Sequence, residues 1–468
     1  MSEYKMTIGL EIHSELKTNS KMFCGCKNDP ETGVPNLYVC PVCMGHPGTL
    51  PVINRKAVHK VLQVGVALGA KLADFTEFDR KNYFYPDIPK GYQISQYAFP
   101  LVSGGSLAGV DITRVHLEED TARSSHEKPG VSLVDFNRAG VPLMELVTEP
   151  VIHSAEQAMN FARELQLLLQ YMNVSDANME KGQMRVEVNI SVSKTDALGT
   201  KVEVKNINSF KSVERAIAYE IDRQTKTLEE GGTLVQETRG FDENTGETFS
   251  QRAKESSHDY RYFPDPDIPK FQFSVVEGFN KDAIKKTLPE LPWERRARYS
   301  ALGLKSDQVE TLLADDEYRD FVDTELLAAG LADKTVQLGV NYLFSDIRGK
   351  WGNEALSPLA GGALVELLKM IESDEVSSRG AKDIIAVLMT TGGSPRAIAN
   401  EKGLIQVTDM GAIEKLVDEL IAANEKAVAE YKAGKEASMQ FLVGQGMRMS
   451  KGSAKPELLR DIIHKKLS

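Results

Sequence analysis

Segments in which apolar and polar residues alternate dominate the chain up to about residue 290. In the first of them, Ile8, Leu10 and Ile12 share one face of a predicted strand, while Glu11 and His13 share the other, because successive strand side chains point to opposite sides. The segment therefore predicts a strand with one buried face and one face that carries ionisable groups.

A second pair of alternating segments lies at residues 186–192 and 202–205, with a turn around Gly199 between them. Valine and isoleucine occupy every second position of the first segment and alternate there with Glu187, Asn189 and Ser191. This arrangement predicts an antiparallel hairpin.

Two helices are predicted between and after these strands. The first has Ser154 as its N-cap, followed by apolar residues at helical spacing, namely Phe161, Leu165, Leu168 and Met172. The second follows Ser209 and runs through Val213 to Ile221. Strands mixed with isolated helices, without a regular βαβ rhythm, favour an α+β fold.

The composition and the hydrophobic periodicity change after residues 288–299. From there the chain is rich in Leu, Ala, Glu and Lys, and its apolar residues recur at helical spacing. Pro289 and Pro292 mark the expected linker, and a second break is expected within residues 403–412. A chain of 468 residues is longer than one hydrophobic core usually organises, so two to four domains are expected.

Composition narrows the class of protein. The net charge of −11, with 41% hydrophobic and 26% charged residues, argues against a protein that coats nucleic acid through bulk charge. The chain has no secretory signal pattern at its start and no apolar run of about 18 residues, so a cytoplasmic protein without membrane contact is expected.

All four cysteines lie within residues 23–48, as Cys24, Cys26, Cys40 and Cys43. In a reducing compartment such a cluster is more typical of a metal site than of disulfides, and two short chelating turns suit tetrahedral Zn²⁺. Four sulfur ligands leave no open position, which predicts a structural zinc site. The alternative, a redox pair at Cys40 and Cys43, lacks a surrounding βαβ pattern.

Carboxylates and imidazoles share the polar faces of three predicted strands. These groups are Glu11 with His13, His116 with Glu118 and Asp120, and Glu145 with Glu149; Glu187, Glu203 and Lys205 extend the face along the hairpin. An oxygen-rich set of this kind suits Mg²⁺ or Mn²⁺. The alternative is that these carboxylates simply form the solvated side of a sheet.

Cations and aromatic residues could complete such a site. Arg185 leads into the hairpin, and Lys81, Lys90 and Arg138 lie in predicted loops. Cations beside a magnesium site suit phosphoryl transfer, because its transition state spreads negative charge over the phosphoryl oxygens, although ordinary ion pairing would also explain them. Two aromatic loops, residues 81–97 and 256–269, could stack a base or serve as packed loop anchors.

The motifs that are missing also narrow the chemistry. The chain has neither the Gly-x-x-x-x-Gly-Lys-Ser/Thr phosphate loop nor a Gly-x-Ser-x-Gly nucleophile elbow. With every cysteine assigned to the metal cluster, no cysteine nucleophile remains for hydrolysing an amide.

Several long motifs resemble one family, the B subunits of the aspartyl/glutamyl-tRNA amidotransferases. They are IGLEIHSEL, CPVCMGHPGTLPVIN, RKNYFYPDIPKGYQISQ, HLEEDTARS, VDFNRAGVPLMELVTEP, VKNINSFKSVERAI, ETRGFDENTGET and DYRYFPDPDIP, followed by EYKAGKEASMQFLVGQGMRMSKGSAKPELL, which resembles the tail that this family shares with YqeY proteins. The resemblance runs from about residue 5 to the end of the chain.

The resemblance implies an ATP- and Mg²⁺-dependent ligase that works as part of a heterotrimer. The side-chain carboxylate of misacylated Glu-tRNA(Gln) or Asp-tRNA(Asn) would be phosphorylated and then amidated. Ammonia would come from an amidase-like A subunit, and a small C subunit would join A to B. It also implies a glutamine synthetase-like cradle at 1–292, with a zinc-binding insertion at 23–48, an all-α domain at 293–410 and a YqeY-like tail at 411–468.

The same resemblance assigns roles to particular residues. The expected catalytic residues are Glu11, His13, Glu145, Glu187 and Lys205; the expected Mg²⁺ ligands are Glu11, His13, Glu118 or Glu119, and Glu145; the expected ATP contacts are Lys81, Tyr83, Arg138 and Arg185. Strand periodicity favours Glu118 over Glu119, whereas the family pattern favours Glu119 and would require a bulge. Some family members lack the cysteines, which makes zinc a feature of a lineage.

The end of the chain is basic. Residues 444–468 contain six Lys or Arg against two acidic residues, and Arg448, Lys451 and Lys455 are expected to contact tRNA phosphates. A solvated helix face is the alternative. For the whole chain, two further hypotheses are an RNA-binding protein stapled by zinc and an independent metal-dependent hydrolase.

Overall fold

The computed structural model describes residues 4–128, 130–253, 260–351, 356–406, 410–450 and 454–467. The chain divides into two compact units, Met1–Pro292 and Trp293–Ser468. Among the described residues, the first contains the strands, four α-helices and one short 3-10 helix, and the second is helical, so the fold is α+β as predicted.

The strands of the first unit vary from two to eleven residues. They are β1 (Lys5–Glu15), β2 (Lys71–Leu72), β3 (Phe75–Thr76), β4 (Asp79–Asn82), β5 (Tyr92–Ser95), β6 (Val102–Ser103), β7 (Ser106–Leu107), β8 (Val110–Glu119), β9 (Arg123–Lys128), β10 (Val131–Asp135), β11 (Pro142–Thr148), β12 (Met184–Ser193), β13 (Val202–Ile207), β14 (Glu237–Asp242), β15 (Glu247–Ala253), β16 (Phe263–Pro264) and β17 (Phe271–Gln272).

Ten of these strands form the main sheet, in the order β15-β14-β13-β12-β1-β11-β8-β6-β2, with β7 paired to β8. The neighbours are antiparallel except β13 and β14, which run parallel. The predicted hairpin is the antiparallel pair β12 and β13. The opening strand β1 lies near the middle of the sheet, between β12 and β11.

One face of this sheet is apolar because of strict alternation. Ile8, Leu10 and Ile12 of β1 are fully buried, as are the matching Val115 and Leu117 of β8. Helices of the first unit lie against the sheet: α1 (Arg55–Ala67), α2 (Ala155–Tyr171) and α3 (Phe210–Glu229), with the short α4 (Lys281–Lys285) against α1. Each fully buried aliphatic side chain contributes about 1.5–3 kcal/mol.

The two predicted helices form with the predicted caps. Ser154 accepts a hydrogen bond from the backbone N–H of Gln157, and Ser209 accepts one from that of Ser212. The helix after Ser209 continues to Glu229, beyond the predicted Ile221. Both helices present their apolar stripe to the interior, as the periodicity indicated.

The aromatic segments predicted as loops contain short strands. A three-stranded sheet in the order β16-β4-β5 joins the two segments, with Phe263 opposite Arg80, and Lys81 opposite Gln93. Lys81 therefore lies in a strand and not in a loop. Residues 256–259 of the second segment lie outside the described residues.

In the described residues the second unit contains helices, with one isolated bridge between Val376 and Ile405. The helices are α5 (Pro292–Ala301), α6 (Ser306–Ala314), α7 (Asp316–Phe321), α8 (Asp333–Tyr342), α9 (Gly349–Trp351), α10 (Ala363–Glu372), α11 (Ser378–Thr391), α12 (Pro395–Glu401), α13 (Met410–Ala423), α14 (Glu425–Lys432), α15 (Ala437–Met449) and α16 (Pro456–Leu467). Two π-helical turns, Val322–Leu327 and Leu343–Arg348, flank α8.

The last four helices, α13 to α16, share a hydrophobic cluster built on Val417, Leu420, Leu442, Leu459 and Ile463. Among the described helices of the chain, none combines the length and apolar character that crossing a bilayer requires.

Candidate active site and cysteine cluster

A row of ionisable side chains crosses four strands on the polar face of the main sheet. His13 on β1 lies opposite Arg185 on β12 and opposite Glu145 on β11, and Glu145 lies opposite His116 on β8. Directly opposed residues in a sheet share a face, so the register aligns the four side chains. The next row contains Glu187, Glu11, Val147 and Arg114.

The side chains in these rows converge within hydrogen-bonding or ion-pairing range. Nε2 of His13 lies 3.4 Å from a carboxylate oxygen of Glu145, 3.6 Å from Glu118 and 4.0 Å from Glu11. Nε2 of His116 lies 3.3 Å from Glu145 and 3.7 Å from Glu118. The structure thus brings together Glu11, His13, Glu118 and Glu145, as the sequence predicted.

Burial and mutual repulsion shift the pKa values of these groups. Burial, followed by repulsion from Glu145 and Glu187, raises the pKa of Glu11 to about 7. Burial lowers the pKa of His13, but its hydrogen bond and attraction to Glu145 outweigh this and raise the pKa to about 9. His116 reaches about 9 for the same kind of reason. Protons therefore partly neutralise this acidic cluster when no cation is bound.

Glu118 and Glu119 point to opposite sides of β8. The register with β11 is regular across both residues, so no bulge brings Glu119 onto the polar face. Its carboxylate instead pairs with Lys90 at 2.5 Å and accepts a hydrogen bond from the N–H of Ile94. The structure therefore places Glu118 on the face of the cluster and Glu119 on the opposite face, which favours Glu118 of the two alternatives; that Glu118 ligates Mg²⁺ stays a prediction. Lys90 belongs to that opposite face as well.

Glu149 does not join the cluster although the sequence placed it on a face with Glu145. Strand β11 ends at Thr148, so Glu149 lies beyond the strand and is not held to its alternation. Glu149 is partly buried, and its carboxylate accepts a hydrogen bond of 2.7 Å from the hydroxyl of Thr113.

Arg185 and Arg138 meet at Asp120. Arg185 donates to this carboxylate at 2.7 Å, and Nε of Arg138 lies 3.7 Å from it. Arg138 also donates to the carbonyls of Thr121 and Ala122. Burial opposes ionisation, but the two arginines keep the pKa of Asp120 below its ordinary value. Two of the four predicted ATP contacts, Arg138 and Arg185, therefore lie together and share Asp120 as their counter-ion.

Lys81 lies between the carboxylates and an aromatic wall. Its ammonium stands 4.9 Å from the ring centroid of Tyr260 and 5.8 Å from that of Tyr83. Burial lowers the pKa of Lys81, but the phenol of Tyr262 and the carboxylates of the cluster outweigh this and raise it. Lys81 therefore supplies a permanent positive charge to the site.

The hairpin adds Glu187, Glu203 and Lys205. Lys205 pairs with Glu187 at 2.7 Å, and carboxylate oxygens of Glu11, Glu187 and Glu203 lie within 4.8 Å of one another. Glu203 also accepts a hydrogen bond of 2.6 Å from the hydroxyl of Thr238. These residues extend the acidic face, as predicted.

The carboxylate cluster fits a small divalent cation. Ligands of one Mg²⁺ at about 2.1 Å stand about 3.0 Å apart when adjacent and about 4.2 Å apart when opposite. The separations of 3.4–4.0 Å around His13 lie within this range. Carboxylate oxygens with one or two imidazoles form a donor set suited to Mg²⁺ or Mn²⁺.

The four cysteines converge. Their sulfur atoms lie within 4.8 Å of one another, and none forms a disulfide. Sγ of Cys40 and Sγ of Cys43 stand 3.9 Å apart, close to the edge of about 3.8 Å in a tetrahedron with Zn–S bonds of about 2.3 Å. The backbone N–H of Cys40 points to Sγ of Cys43 at 3.2 Å. The arrangement fits a tetrathiolate zinc site.

A buried lysine supports a charged cluster. Lys21 is only 1% exposed, and its ammonium lies 3.1 Å from the carbonyl of Phe136 and 3.9 Å from Sγ of Cys43. Hydrogen bonds from Cys24, the backbone at Cys40 and the charge of Lys21 lower the pKa of Cys43 to about 5, although burial opposes this. A buried ammonium requires a negative neighbour, and a thiolate meets that need.

The basic residues of the tail are placed differently from one another. Lys455 forms an ion pair of 2.8 Å with Asp374, and Arg448 lies in the last turn of α15. Lys451 lies outside the described residues.

Sequence reasoning missed three contacts of the site. Arg114 lies 3.4 Å from Glu145, Ser95 donates a hydrogen bond of 2.9 Å to Glu118, and Lys21 contacts Cys43. Period-two alternation from His116 could have found Arg114. No local pattern points to Ser95 or Lys21, because both reach the site from another element.

Comparisons with known proteins identify the family to which the sequence is similar. Residues 6–276 match the family model described as the GatB/GatE catalytic domain, and residues 328–467 match the model described as the GatB domain. The second match runs across the boundary predicted at residue 410.

Curated relatives match along the whole chain. The B subunit of the aspartyl/glutamyl-tRNA(Asn/Gln) amidotransferase from Thermus thermophilus is 45% identical over 469 residues, covering 98% of each chain. The protein of the same name from Thermoanaerobacter sp. (strain X514) is 43% identical over 478 residues, which cover 100% of both chains. The one from Persephonella marina is 43% identical over 481 residues, which cover 99% of this chain and 100% of the relative.

Proposed function

The chain belongs to the family of aspartyl/glutamyl-tRNA(Asn/Gln) amidotransferase B subunits, and from this membership we propose that its carboxylate and imidazole cluster is the site of tRNA-dependent amidation. The protein is the B subunit of an ATP-dependent ligase that works as a heterotrimer with an A and a C subunit. The complex converts misacylated Glu-tRNA(Gln) or Asp-tRNA(Asn) to Gln-tRNA(Gln) or Asn-tRNA(Asn). Such an enzyme acts where translation takes place, which we propose is the cytoplasm.

The reaction requires a carboxylate to be activated. An oxygen of the substrate carboxylate attacks the γ-phosphorus of ATP, the bond to the bridging oxygen breaks, and ADP leaves with that electron pair. Ammonia then attacks the acyl phosphate carbon, the bond from this carbon to the phosphate oxygen breaks, and phosphate leaves with the electron pair while the nitrogen loses one proton. A carboxylate by itself is a poor acceptor for ammonia, so phosphorylation supplies the leaving group. The A subunit supplies ammonia, which agrees with the absence of a hydrolytic nucleophile motif on this chain.

The residues of this chain bind and orient the two negatively charged substrates. Lys81 and Arg185 provide positive charge near the cluster, where the triphosphate and the substrate carboxylate would otherwise repel each other and the carboxylates of the site. Tyr83 lies against Lys81 and limits its movement. Arg138 holds Asp120, which in turn holds Arg185. Lys205 balances the charge of Glu187.

Glu11, His13, Glu118 and Glu145 would hold Mg²⁺. The bound ion would neutralise phosphate charge and polarise the γ-phosphoryl group. With a cation in place, the proton on His13 would be displaced and the repulsion among the carboxylates relieved.

The cysteine cluster would hold a structural Zn²⁺. Four thiolates leave no position for substrate, so its contribution is to fix the loop at 23–48. That loop packs against Lys90, because a Cβ atom at Gly45 would stand 2.5 Å from the side chain of Lys90. The ammonium of Lys90 pairs with Glu119 on the face of β8 opposite the carboxylate cluster. Glu119 immediately follows the proposed ligand Glu118 in β8.

The tail would contact tRNA through its exposed cations. Arg448 is the better candidate of the two described residues, because Lys455 is already paired with Asp374. The elements α13 to α16 have a hydrophobic cluster in common and would present these cations on one helical surface.

The convergence of Glu11, Glu118 and Glu145 on His13 supports this function most directly. The test uses the purified heterotrimer and measures phosphate release from ATP with and without Glu-tRNA(Gln) or Asp-tRNA(Asn). We expect release that depends on the misacylated tRNA, and a loss of at least roughly 100-fold in Glu145→Gln, as for removal of one charge-stabilising group from a catalytic site.

Glu149→Gln is the matched control, because Glu149 lies just beyond the same strand and bonds to Thr113 instead of the cluster. It should retain normal release. Full activity in Glu145→Gln would contradict the site assignment, and phosphate release that ignores tRNA would contradict the proposed function.

A further inference from the structure

A second imidazole, that of His116, lies in the carboxylate cluster and has no role in the proposed reaction. Its Nε2 stands 3.3 Å from an oxygen of Glu145 and 3.7 Å from an oxygen of Glu118. His116 is only 3% exposed. A buried polar side chain costs free energy unless its partners compensate for the lost water, so the two carboxylates account for a histidine at this position.

His13 and His116 flank Glu145 from two different strands. Glu145 on β11 lies opposite His13 on β1 and opposite His116 on β8. The side chain of His13 is 14% exposed and that of the neighbouring Glu11 is 26% exposed, whereas that of His116 is 4% exposed. Because ATP must enter from solvent, His13 and Glu11 lie on the side where a cation can be shared with it. His116 lies deeper in the cluster.

The two carboxylates are also held one by one. Ser95 donates a hydrogen bond of 2.9 Å to Oε2 of Glu118, and Arg114 lies 3.4 Å from Oε1 of Glu145. The other oxygens, Oε1 of Glu118 and Oε2 of Glu145, face His13 at 3.6 Å and 3.4 Å. His116 contacts both carboxylates, so it fixes the position of one relative to the other.

The ring of His116 acts on the cluster through one nitrogen. In the part of the chain that the structure describes, its Nδ1 is buried without a hydrogen-bond partner. Nε2, which stands between the two carboxylates, therefore supplies the polar interaction of this ring. Groups that contact metal ligands in this way typically orient them and tune the affinity of the site for its metal.

The spacing of ligand oxygens distinguishes small from large divalent cations. Adjacent ligands stand about 3.0 Å apart around Mg²⁺, and about 3.3–3.7 Å apart around Ca²⁺ with its bonds of about 2.3–2.6 Å. Mg²⁺ also demands near-ideal octahedral geometry, whereas Ca²⁺ tolerates irregular geometry. A contact that fixes two carboxylates relative to each other therefore favours Mg²⁺, and a relaxed pair would lose that preference.

We propose that His116 is a positioning residue, which holds Glu118 and Glu145 through the N–H at Nε2 and thereby makes the cluster select Mg²⁺ over the larger Ca²⁺. The proposal rests on the proposed function, because it takes these two carboxylates as ligands of the cation. His116 itself does not ligate the cation and does not contact ATP or tRNA.

The experiment measures the Kd for Mg²⁺ and the Kd for Ca²⁺ by calorimetric titration of the intact heterotrimer in metal-free buffer. We expect His116→Met, which removes the N–H, to raise the Kd for Mg²⁺ roughly 10- to 100-fold, as for loss of an outer contact to a metal ligand. The Kd for Ca²⁺ should rise by a smaller factor, so the preference for Mg²⁺ falls. His116→Gln, whose amide places an N–H near the position of Nε2, should restore most of both.

Two further variants control for structural damage. His59→Met is the matched control, because His59 is a partly buried histidine on α1 whose ring packs edge-on against Phe279. It should leave both Kd values unchanged. If His116→Met does not fold, as its Tm will show, His116→Asn replaces it. The shorter amide of asparagine reaches the position of Nδ1 but not that of Nε2, so the same loss of preference is expected.

A second readout separates a positioning residue from a ligand. At saturating Mn²⁺, pulsed EPR detects the nitrogen hyperfine coupling of an imidazole bound directly to the metal. This coupling should persist in His116→Met and disappear in His13→Gln. Its loss or reduction in His116→Met would make His116 a ligand and would overturn the proposal.

The titrations can overturn the proposal in three ways. These are an unchanged Kd for Mg²⁺ in His116→Met, equal losses for Mg²⁺ and Ca²⁺, and equal losses in His116→Met and His116→Gln. The proposed function is tested separately by tRNA-dependent phosphate release from the unaltered complex. If that release is missing, the proposed function is wrong, whereas normal release with an unaltered cation preference in His116→Met refutes the role of His116 alone.

Discussion

Replacing the buried Lys21 by methionine tests the cysteine cluster as a zinc site. The ammonium of Lys21 lies 3.9 Å from Sγ of Cys43 and is buried. Four thiolates around Zn²⁺ have a net charge of −2, whereas the metal-free cluster, in which Cys43 alone is a thiolate because its pKa is lowered to about 5, has a charge of −1. The charge of Lys21 therefore stabilises the zinc-bound form more than the metal-free form. Methionine fills a similar volume without the charge.

The structure sets the size of the effect. Two unit charges 3.9 Å apart interact by about 4 kcal/mol at an effective dielectric constant of about 20, which would correspond to roughly 1000-fold in affinity. Removing the lysine also relieves the cost of burying an ammonium, so the net effect is smaller. Substitutions next to metal ligands typically cost about 10- to 100-fold in affinity. We therefore expect zinc to bind roughly 10- to 100-fold more weakly to Lys21→Met than to the unaltered protein.

The assay is a competition titration against a chromophoric chelator at constant pH. Co²⁺ substitution supplies a second readout, because its thiolate charge-transfer band reports sulfur ligation directly. Lys27→Met is the matched control: Lys27 follows Cys26 in sequence but is exposed and paired with Asp29 at 2.7 Å. Equal zinc affinities for the two variants would refute the electrostatic reasoning, and an absent Co²⁺ thiolate band in the unaltered protein would refute the zinc site itself.

Three further predictions concern the active site and the tail. Glu118→Gln should abolish tRNA-dependent phosphate release. Glu119→Gln, which breaks a buried ion pair, should lower the unfolding free energy by roughly 3 kcal/mol and keep release at low temperature. Normal release in Glu118→Gln, or lost release in folded Glu119→Gln, would contradict the assignment. The pKa of His13 is raised to about 9 in the metal-free protein, and an imidazole that ligates a metal must lose its proton. The affinity for Mg²⁺ should therefore increase as the pH rises and level off above about pH 9. A calorimetric titration that shows constant affinity from pH 7 to 9 would exclude His13 as a ligand. In filter-binding assays, Arg448→Ala should weaken tRNA binding and reduce the salt dependence of that binding. Lys455→Ala should have smaller effects, because the ion pair with Asp374 already neutralises Lys455. Equal effects of the two substitutions would show that the ion pair between Lys455 and Asp374 opens when tRNA binds.

Local pattern determined the elements that support the site. Alternation predicted β1 and the hairpin of β12 and β13, and capping serines predicted the starts of α2 and α3. These features depend on neighbours in the sequence, whose geometry is fixed by the period of the strand or helix. The same period selected Glu118 over Glu119, because a one-residue change of register would move the side chain to the other face.

Local pattern failed where register or packing intervened. Glu149 does not join the cluster because β11 ends at Thr148, and where a strand stops pairing depends on its partner strand. Lys81 was expected in a loop, but pairing with β5 and β16 draws it into a strand. The division of the second unit at residue 410 remains a prediction.

The sequence by itself determined which residue types the site contains, since four strands each carry at least one acidic or imidazole side chain on the polar face. Only the tertiary structure decided which of them meet. The order β12-β1-β11-β8 joins segments up to about 170 residues apart in the chain and aligns Arg185, His13, Glu145 and His116 in one row. Lys21 reaches Cys43, and Ser95 reaches Glu118, for the same reason: such contacts depend on how elements pack, which no periodicity within one element contains.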